Sequence, residues 1–266
     1  MALTLLILAL LLIIAALAFR RAGEIRERDL AWAALAARTP WQAPPFAPAM
    51  LDGLPEPARC FLAAAIRPGT LLLPVVELRL AGTLAGSPFG ADRRVRGYAM
   101  LAPPFGAALR LYPEPNPLAM SGALIADGAG SRARFWLLGL VPLRAAPDAQ
   151  AAGRLLVETV LWCPAALLPG GGAAWEAVDA DTAWVSMKVG GAMHQVEIRV
   201  AGDGRLVSVR TAGLVATPTE FRDFDGISLP ATVRFEGDAT AQTPRLTEAR
   251  IGHVRFIGPW PGSRRS

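Results

Sequence analysis

The chain has 266 residues, 53% of them hydrophobic, a share raised by an apolar N-terminus and abundant alanine, and its 27 Lys+Arg outweigh 22 Asp+Glu to give +5. That length holds one sizeable domain with its own core beyond any anchor. The cations, nearly all arginine, are scattered without the basic stripe and interleaved aromatics of a nucleic-acid surface, and two cysteines, Cys60 and Cys163, set no disulfide framework, cannot fill a zinc site alone and read as small buried apolar side chains rather than a bridge.

From Met1 to Phe19 no side chain is charged, and Arg20-Arg21 comes immediately after. As a helix rising about 1.5 Å per residue this run is roughly 27 Å long, close to the hydrocarbon thickness of a bilayer. The competing reading is a cleaved secretory signal, for which Ala16-Leu17-Ala18 offers a small-x-small site. The absence of a basic n-region, and an apolar stretch longer than the usual ~7–15 residues, favour a retained anchor. The bilayer, met through residues 2–19, is therefore an expected partner. Arg20, Arg21, Arg26 and Arg28 on the downstream flank favour the cytoplasmic side for the domain beyond them under the positive-inside rule, one short flank leaving the opposite side open, and they suit anionic headgroups.

Helix formers continue to about Arg38, so the anchor is expected to leave the membrane as a helix. Thr39 to Pro48, with four prolines, breaks it into a linker or extended lead-in. Leu54 to Ile66 reads as a short helix with prolines in its first turn, ended at Arg67-Pro68-Gly69. Beyond Leu71 the period changes to two: Val76, Leu78 and Leu80 alternate with Glu77 and Arg79, and short runs come between Pro/Gly turns. Arg93-Arg94-Val95-Arg96 reads as a solvated strand face. The apolar run Phe135–Leu143 is too short to span a bilayer and reads as buried. Asp148 is a plausible N-cap for a helix carrying Arg154, Glu158 and Trp162 on one stripe, terminated by Pro164 and Pro169-Gly-Gly-Gly172.

Ala183 to Thr211 reads as a strand meander. Gly190-Gly191 is a two-residue hairpin turn that pairs Val189 with Ala192, Met187 with His194 and Val185 with Val196. The loop Ala201–Gly204 pairs Val200 with Arg205, hence Ile198 with Val207 and Val196 with Val209. One face is then apolar (Val185, Val189, Val196, Ile198, Val200, Val207 and Val209), with His194 on it between Met187 and Thr211. An antiparallel sheet with one face covered by helices makes this an α+β domain.

Leu54-Pro-Glu-Pro57 with its helix, Phe135–Pro142, Arg154…Glu158…Trp162-Cys-Pro-Ala-Ala-Leu-Leu-Pro169, Trp175-Glu-Ala and Phe224-Asp-Gly-Ile-Ser-Leu-Pro230 resemble an uncharacterised bacterial family. Its members carry one transmembrane helix and a domain of unknown function. The resemblance covers roughly residues 50 to 240, and Cys163 stands where the family has an aliphatic residue. It implies a curved antiparallel half-barrel with helices on its concave face, similar to the periplasmic lipoprotein-carrier proteins, and it carries over no catalytic residue. The chain is then divided into an anchor over 1–20, a juxtamembrane helix and proline-rich linker over 21–50, an α+β half-barrel over 51–258 and a disordered tail over 259–266. The expected location is the bacterial inner membrane, single-pass.

Chemistry is sparse. His194 is a lone histidine on an apolar face, and His253 reads as structural or exposed. A zinc site would need both, with carboxylates, to converge from distant strands. No Gly-x-Ser-x-Gly elbow exists. Gly170-Gly-Gly172 and Gly122 to Gly130 read as turn chemistry, and Asp223-Phe-Asp-Gly226 as a turn rather than a calcium loop. No catalytic residue, metal or cofactor is expected. Arg154, Glu158 and Trp162, with His194 and Met187, are the candidate ligand-binding residues, a polar mouth on an apolar cavity for a lipid or lipoprotein ligand. The alternatives are an interaction protein with a filled core, and an enzyme using His194 or Glu158.

Overall fold

The computed structural model describes residues 1–40, 42–85, 92–114, 120–127, 130–144, 150–237 and 245–258. The uncharged run and the helix formers behind it make one unbroken helix, α1 (Ala2–Ala36). The Thr39–Pro48 stretch leads into the domain and is held to it near its end: the Phe46 amide donates to the Thr70 carbonyl at 2.8 Å, and the Phe46 ring is buried. Helix α2 (Glu56–Ala65) starts with Pro57 in its first turn, as expected of a residue with no amide hydrogen to satisfy there.

The period-two segments form, among the described residues, thirteen strands in one antiparallel sheet. They are β1 (Val76–Ala85), β2 (Arg93–Ala102), β3 (Gly106–Pro113), β4 (Met120–Asp127), β5 (Gly130–Leu137), β6 (Val141–Arg144), β7 (Ala173–Ala177), β8 (Thr182–Val189), β9 (Ala192–Val200), β10 (Leu206–Thr211), β11 (Leu214–Phe224), β12 (Ile227–Gly237) and β13 (Arg245–Phe256). Two meanders, β1–β6 and β7–β13, run outward from a central seam where β1 pairs with β13. The sheet curls into a half-barrel, and the fold is the expected α+β class. Helix α3 (Ala151–Trp162) connects β6 to β7, which are the two opposite edges, so it must cross the concave face. That crossing explains its composition: Leu155, Leu156, Val157, Val160, Leu161 and Trp162 are all at most 3% exposed. With α2 they close one apolar core lined by Leu78, Val185, Ile198 and Val233.

The Gly190-Gly191 turn, with φ of 59° and 88°, fixes the expected β8–β9 register: Val189 faces Ala192, Met187 faces His194 and Val185 faces Val196. The β9–β10 reading is corrected. Leu206 pairs with Val200 and Val209 with Ile198, because a bulge between Leu206 and Ser208 absorbs one residue. Leu206 therefore takes the inward place given to Val207, which is exposed, and Thr211 does not lie opposite His194.

Three further readings change. Gly122 is not a turn residue: it sits inside β4 opposite Phe135, where an added Cβ would lie 2.6 Å from the Phe135 ring. The Phe135–Leu143 run is not buried throughout, because the chain reverses at Leu138-Gly139 and leaves Leu138 and Val141 exposed. Cys163 is buried as expected, but Cys60 is only half-buried, its thiol donating to Glu56; both are free thiols. The Asp148 N-cap and the 259–266 tail lie outside the described residues; Gln150 occupies the N-cap position of α3.

Candidate functional site

On α3, Arg154 Nε donates to Glu158 Oε1 at 3.0 Å, the i,i+4 pairing expected from the spacing, and both side chains are largely covered. One turn further in, Trp162 is 3% exposed, its ring edge-on to Phe235 with centroids 6.3 Å apart. Its indole Nε1 is buried with no acceptor among the described residues. An unsatisfied buried donor costs about 1–3 kcal/mol, so this one stands out in an otherwise aliphatic face. Neighbouring Thr159 shows the usual solution, donating to the Leu155 carbonyl at 2.7 Å. Burial, aided by the negative charge of Glu158, pushes the Cys163 thiol far above the ordinary thiol range, so it acts as a small apolar side chain.

Met187 and His194 face each other on β8 and β9, with Met187 in the core and His194 half-buried on the same inner face. Arg154, Glu158 and Trp162 thus form one row on α3, while Met187 and His194 share a cross-strand pair on the sheet beneath. His253 is exposed on the outer face opposite Arg79, so the two histidines lie on opposite sides of the sheet. Among the described residues no three His, Cys, Asp or Glu side chains converge on a metal position. The Asp223–Gly226 segment is a turn, with Asp223 Oδ1 accepting from the Gly226 amide at 3.1 Å.

Two features depend on long-range pairing and have no local sequence signal. The first is an open groove of about 450 Å³ on the outer face, lined by Arg79, Arg96, Arg222, Arg250, Glu220 and His253. The second is the docking of α1 across the outer face of β2 to β5. The Arg21 guanidinium lies 3.7 Å from the centre of the Trp136 ring, whose Nε1 donates to Glu24. Arg134 reaches Glu27 at 3.0 Å, Arg110 reaches Asp29 at 3.0 Å and stacks on Trp32, and Leu35 packs with Val75, Met100 and Ala108.

A family model of unknown function, DUF6544, matches residues 44–236, which takes in α2, α3 and the strands from β1 to β12. The chain belongs to DUF6544. The matched span holds the whole Arg154–Trp162 row and both strands that carry Met187 and His194. This DUF6544 domain is similar to a LolA superfamily protein from Nitrosomonas europaea (13% identity, 77% of this chain and 94% of that one, TM-score 0.42). It is also similar to a putative outer membrane lipoprotein-sorting protein domain from Vibrio parahaemolyticus (10% identity, 71% of this chain and 87% of that one, TM-score 0.36). A third likeness is to a DUF1329 family protein from Desulfovibrio piger (8% identity, 69% of this chain and 86% of that one, TM-score 0.34). None of the curated proteins compared matches the chain.

Proposed function

We propose that this protein is a membrane-tethered, non-enzymatic binding module: α1 anchors it through residues 2–19, and the concave face takes the acyl chain of a lipid or lipid-modified partner when α3 shifts. The observation that carries the reading is the Trp162 N–H, a donor with no acceptor among the described residues, buried in an apolar face and placed at the inner end of a row whose outer end is the Arg154–Glu158 pair. An ester or carboxyl oxygen at the head of an acyl chain would satisfy that donor, while the leucines and valines around it hold the tail. The apolar helix supports the tether: its 2–19 segment is uncharged and exposed throughout save for Leu17. The arginine flank favours a cytoplasmic domain in a single-pass inner-membrane protein.

The test uses the full chain in detergent with diazirine-bearing palmitic acid. Crosslinks in α3 or β12 are expected, and crosslinks confined to residues 2–19 would refute the pocket. A Gly153→Cys, Thr211→Cys pair, placed where an added Gly153 Cβ lies 3.3 Å from the Thr211 hydroxyl, would fasten α3 to β10. Uptake should fail when that pair is oxidised and return on reduction. A second reading, an interaction protein with a permanently filled core, is favoured by Leu156, Val157 and Leu161 being at most 1% exposed. It predicts no concave-face crosslink at all.

A further inference from the structure

The docked helix points to a second contact with the bilayer. Strand β5 runs antiparallel to α1: Arg134 meets Glu27, and Trp136, two residues later, meets Glu24 and Arg21. Each step along β5 therefore moves towards the uncharged end of α1. Two residues past Trp136 the chain turns at Leu138-Gly139 and returns as β6 through Val141. At about 3.3 Å per strand residue that is about 7 Å, the rise of four to five helical residues at about 1.5 Å each. Continued past Arg21, this carries the turn towards the uncharged segment of α1. Leu17 is the one residue of that segment that is half-buried, and it opens the stripe Leu17, Arg21, Glu24, Arg28, Trp32, Leu35 on the docked face.

The turn carries apolar side chains where a soluble hairpin would carry polar ones. From Leu137 to Pro142 there is no charge, and Leu138 is 67% and Val141 42% exposed. Leu138 holds φ +51°, a conformation that favours glycine or asparagine, so a leucine is kept at the tip against the backbone's preference. Behind the tip, Arg20 is exposed where a cation meets headgroups. Part of the backbone is already paired, since the Leu140 amide donates to the Leu137 carbonyl at 3.1 Å and β6 pairs with β5 on one side, which lowers the cost of shallow burial.

We propose that the Leu138–Val141 hairpin dips into the leaflet beside α1, with the edge of the bilayer hydrocarbon as its occupant, so that the domain meets the membrane at two points. This rests on the tether reading above. The test places the full chain in phosphatidylethanolamine/phosphatidylglycerol nanodiscs with a nitroxide at Leu138→Cys in a Cys60→Ser background. Val141→Cys serves as the second variant should Leu138→Cys not fold. Leu10→Cys marks the anchor and Gly202→Cys, in the exposed β9–β10 turn, marks water. Oxygen-to-nickel accessibility at the hairpin severalfold above the Gly202 label is the expected result. Hairpin labels that match Gly202→Cys while Leu10→Cys reads as lipid would overturn the hairpin contact and leave the tether standing. A water-exposed Leu10→Cys would overturn both.

Discussion

Replacing Trp136 by alanine should release α1 from the sheet without opening the concave core, because Trp136 lies on the outer face and is 2% exposed there. Complete burial of an indole of roughly 200 Å² at about 25 cal/mol per Å² sets an upper bound near 5 kcal/mol. Part of that burial is against the sheet itself. What α1 supplies is the hydrogen bond to the Glu24 carboxylate, worth about 1.5–3 kcal/mol, and the Arg21 contact, worth about 0.5–2 kcal/mol. Allowing for non-additivity, the docking equilibrium should weaken by about 2–4 kcal/mol, or roughly 30- to 700-fold. Spin labels at Arg26→Cys, on the exposed side of α1, and Tyr98→Cys, on the outer face of β2, report the distance between the two bodies. The parent should give one narrow distribution and Trp136→Ala a broad one, with the thermal transition of the core little changed. An unaltered narrow distribution in Trp136→Ala would refute the argument that this ring carries the docking.

Gly122→Ala should lower stability by about 1–2 kcal/mol, since an added methyl meets the buried Phe135 ring and the clash outweighs the gain of stiffening the unfolded chain. In Gly122→Ala/Phe135→Leu the clash component should vanish, and a urea-melt double-mutant cycle with zero coupling would exclude it. The two thiols should separate by reagent and pH. The hydrogen bond to Glu56, then burial, raises the Cys60 pKa, so the neutral thiol is the form the fold favours. Its stabilising contribution is intact below the unfolded thiol pKa and is lost as pH rises through the folded value. Its alkylation midpoint should accordingly lie on the alkaline side of a free thiol and fall back in Glu56→Gln. Cys163 should react only on unfolding, and mass spectrometry of iodoacetamide-treated protein checks both.

Where one turn or one helix sets the geometry, the sequence could be read. Gly190-Gly191 admits a two-residue hairpin and so dictates Val185 opposite Val196, as found, and the spacing of Arg154 and Glu158 yields their ion pair. The β9–β10 register failed because the Ala201–Gly204 loop is compatible with several pairings, and the bulge that selects one is set by whether Leu206 or Val207 turns inward. The docking of α1 could not be read because Arg21 and Trp136 are joined only through the order of five strands. At the candidate site the row on α3 was legible as a stripe, but the missing acceptor of Trp162 is a property of everything packed around it.

Under the proposed tether, the continuity of α1 gives the domain a fixed height. A flexible linker would let a tethered domain sweep a volume that widens with linker length. Here the uncharged segment and the docked segment are one rod, and its far end is tied to the sheet where Leu35 packs against Val75 and Met100. The half-barrel therefore inherits the tilt and rotation of the helix that carries it. If α1 spans a bilayer as proposed, a change in bilayer thickness that tips the helix would swing α3 and the concave face through the same angle.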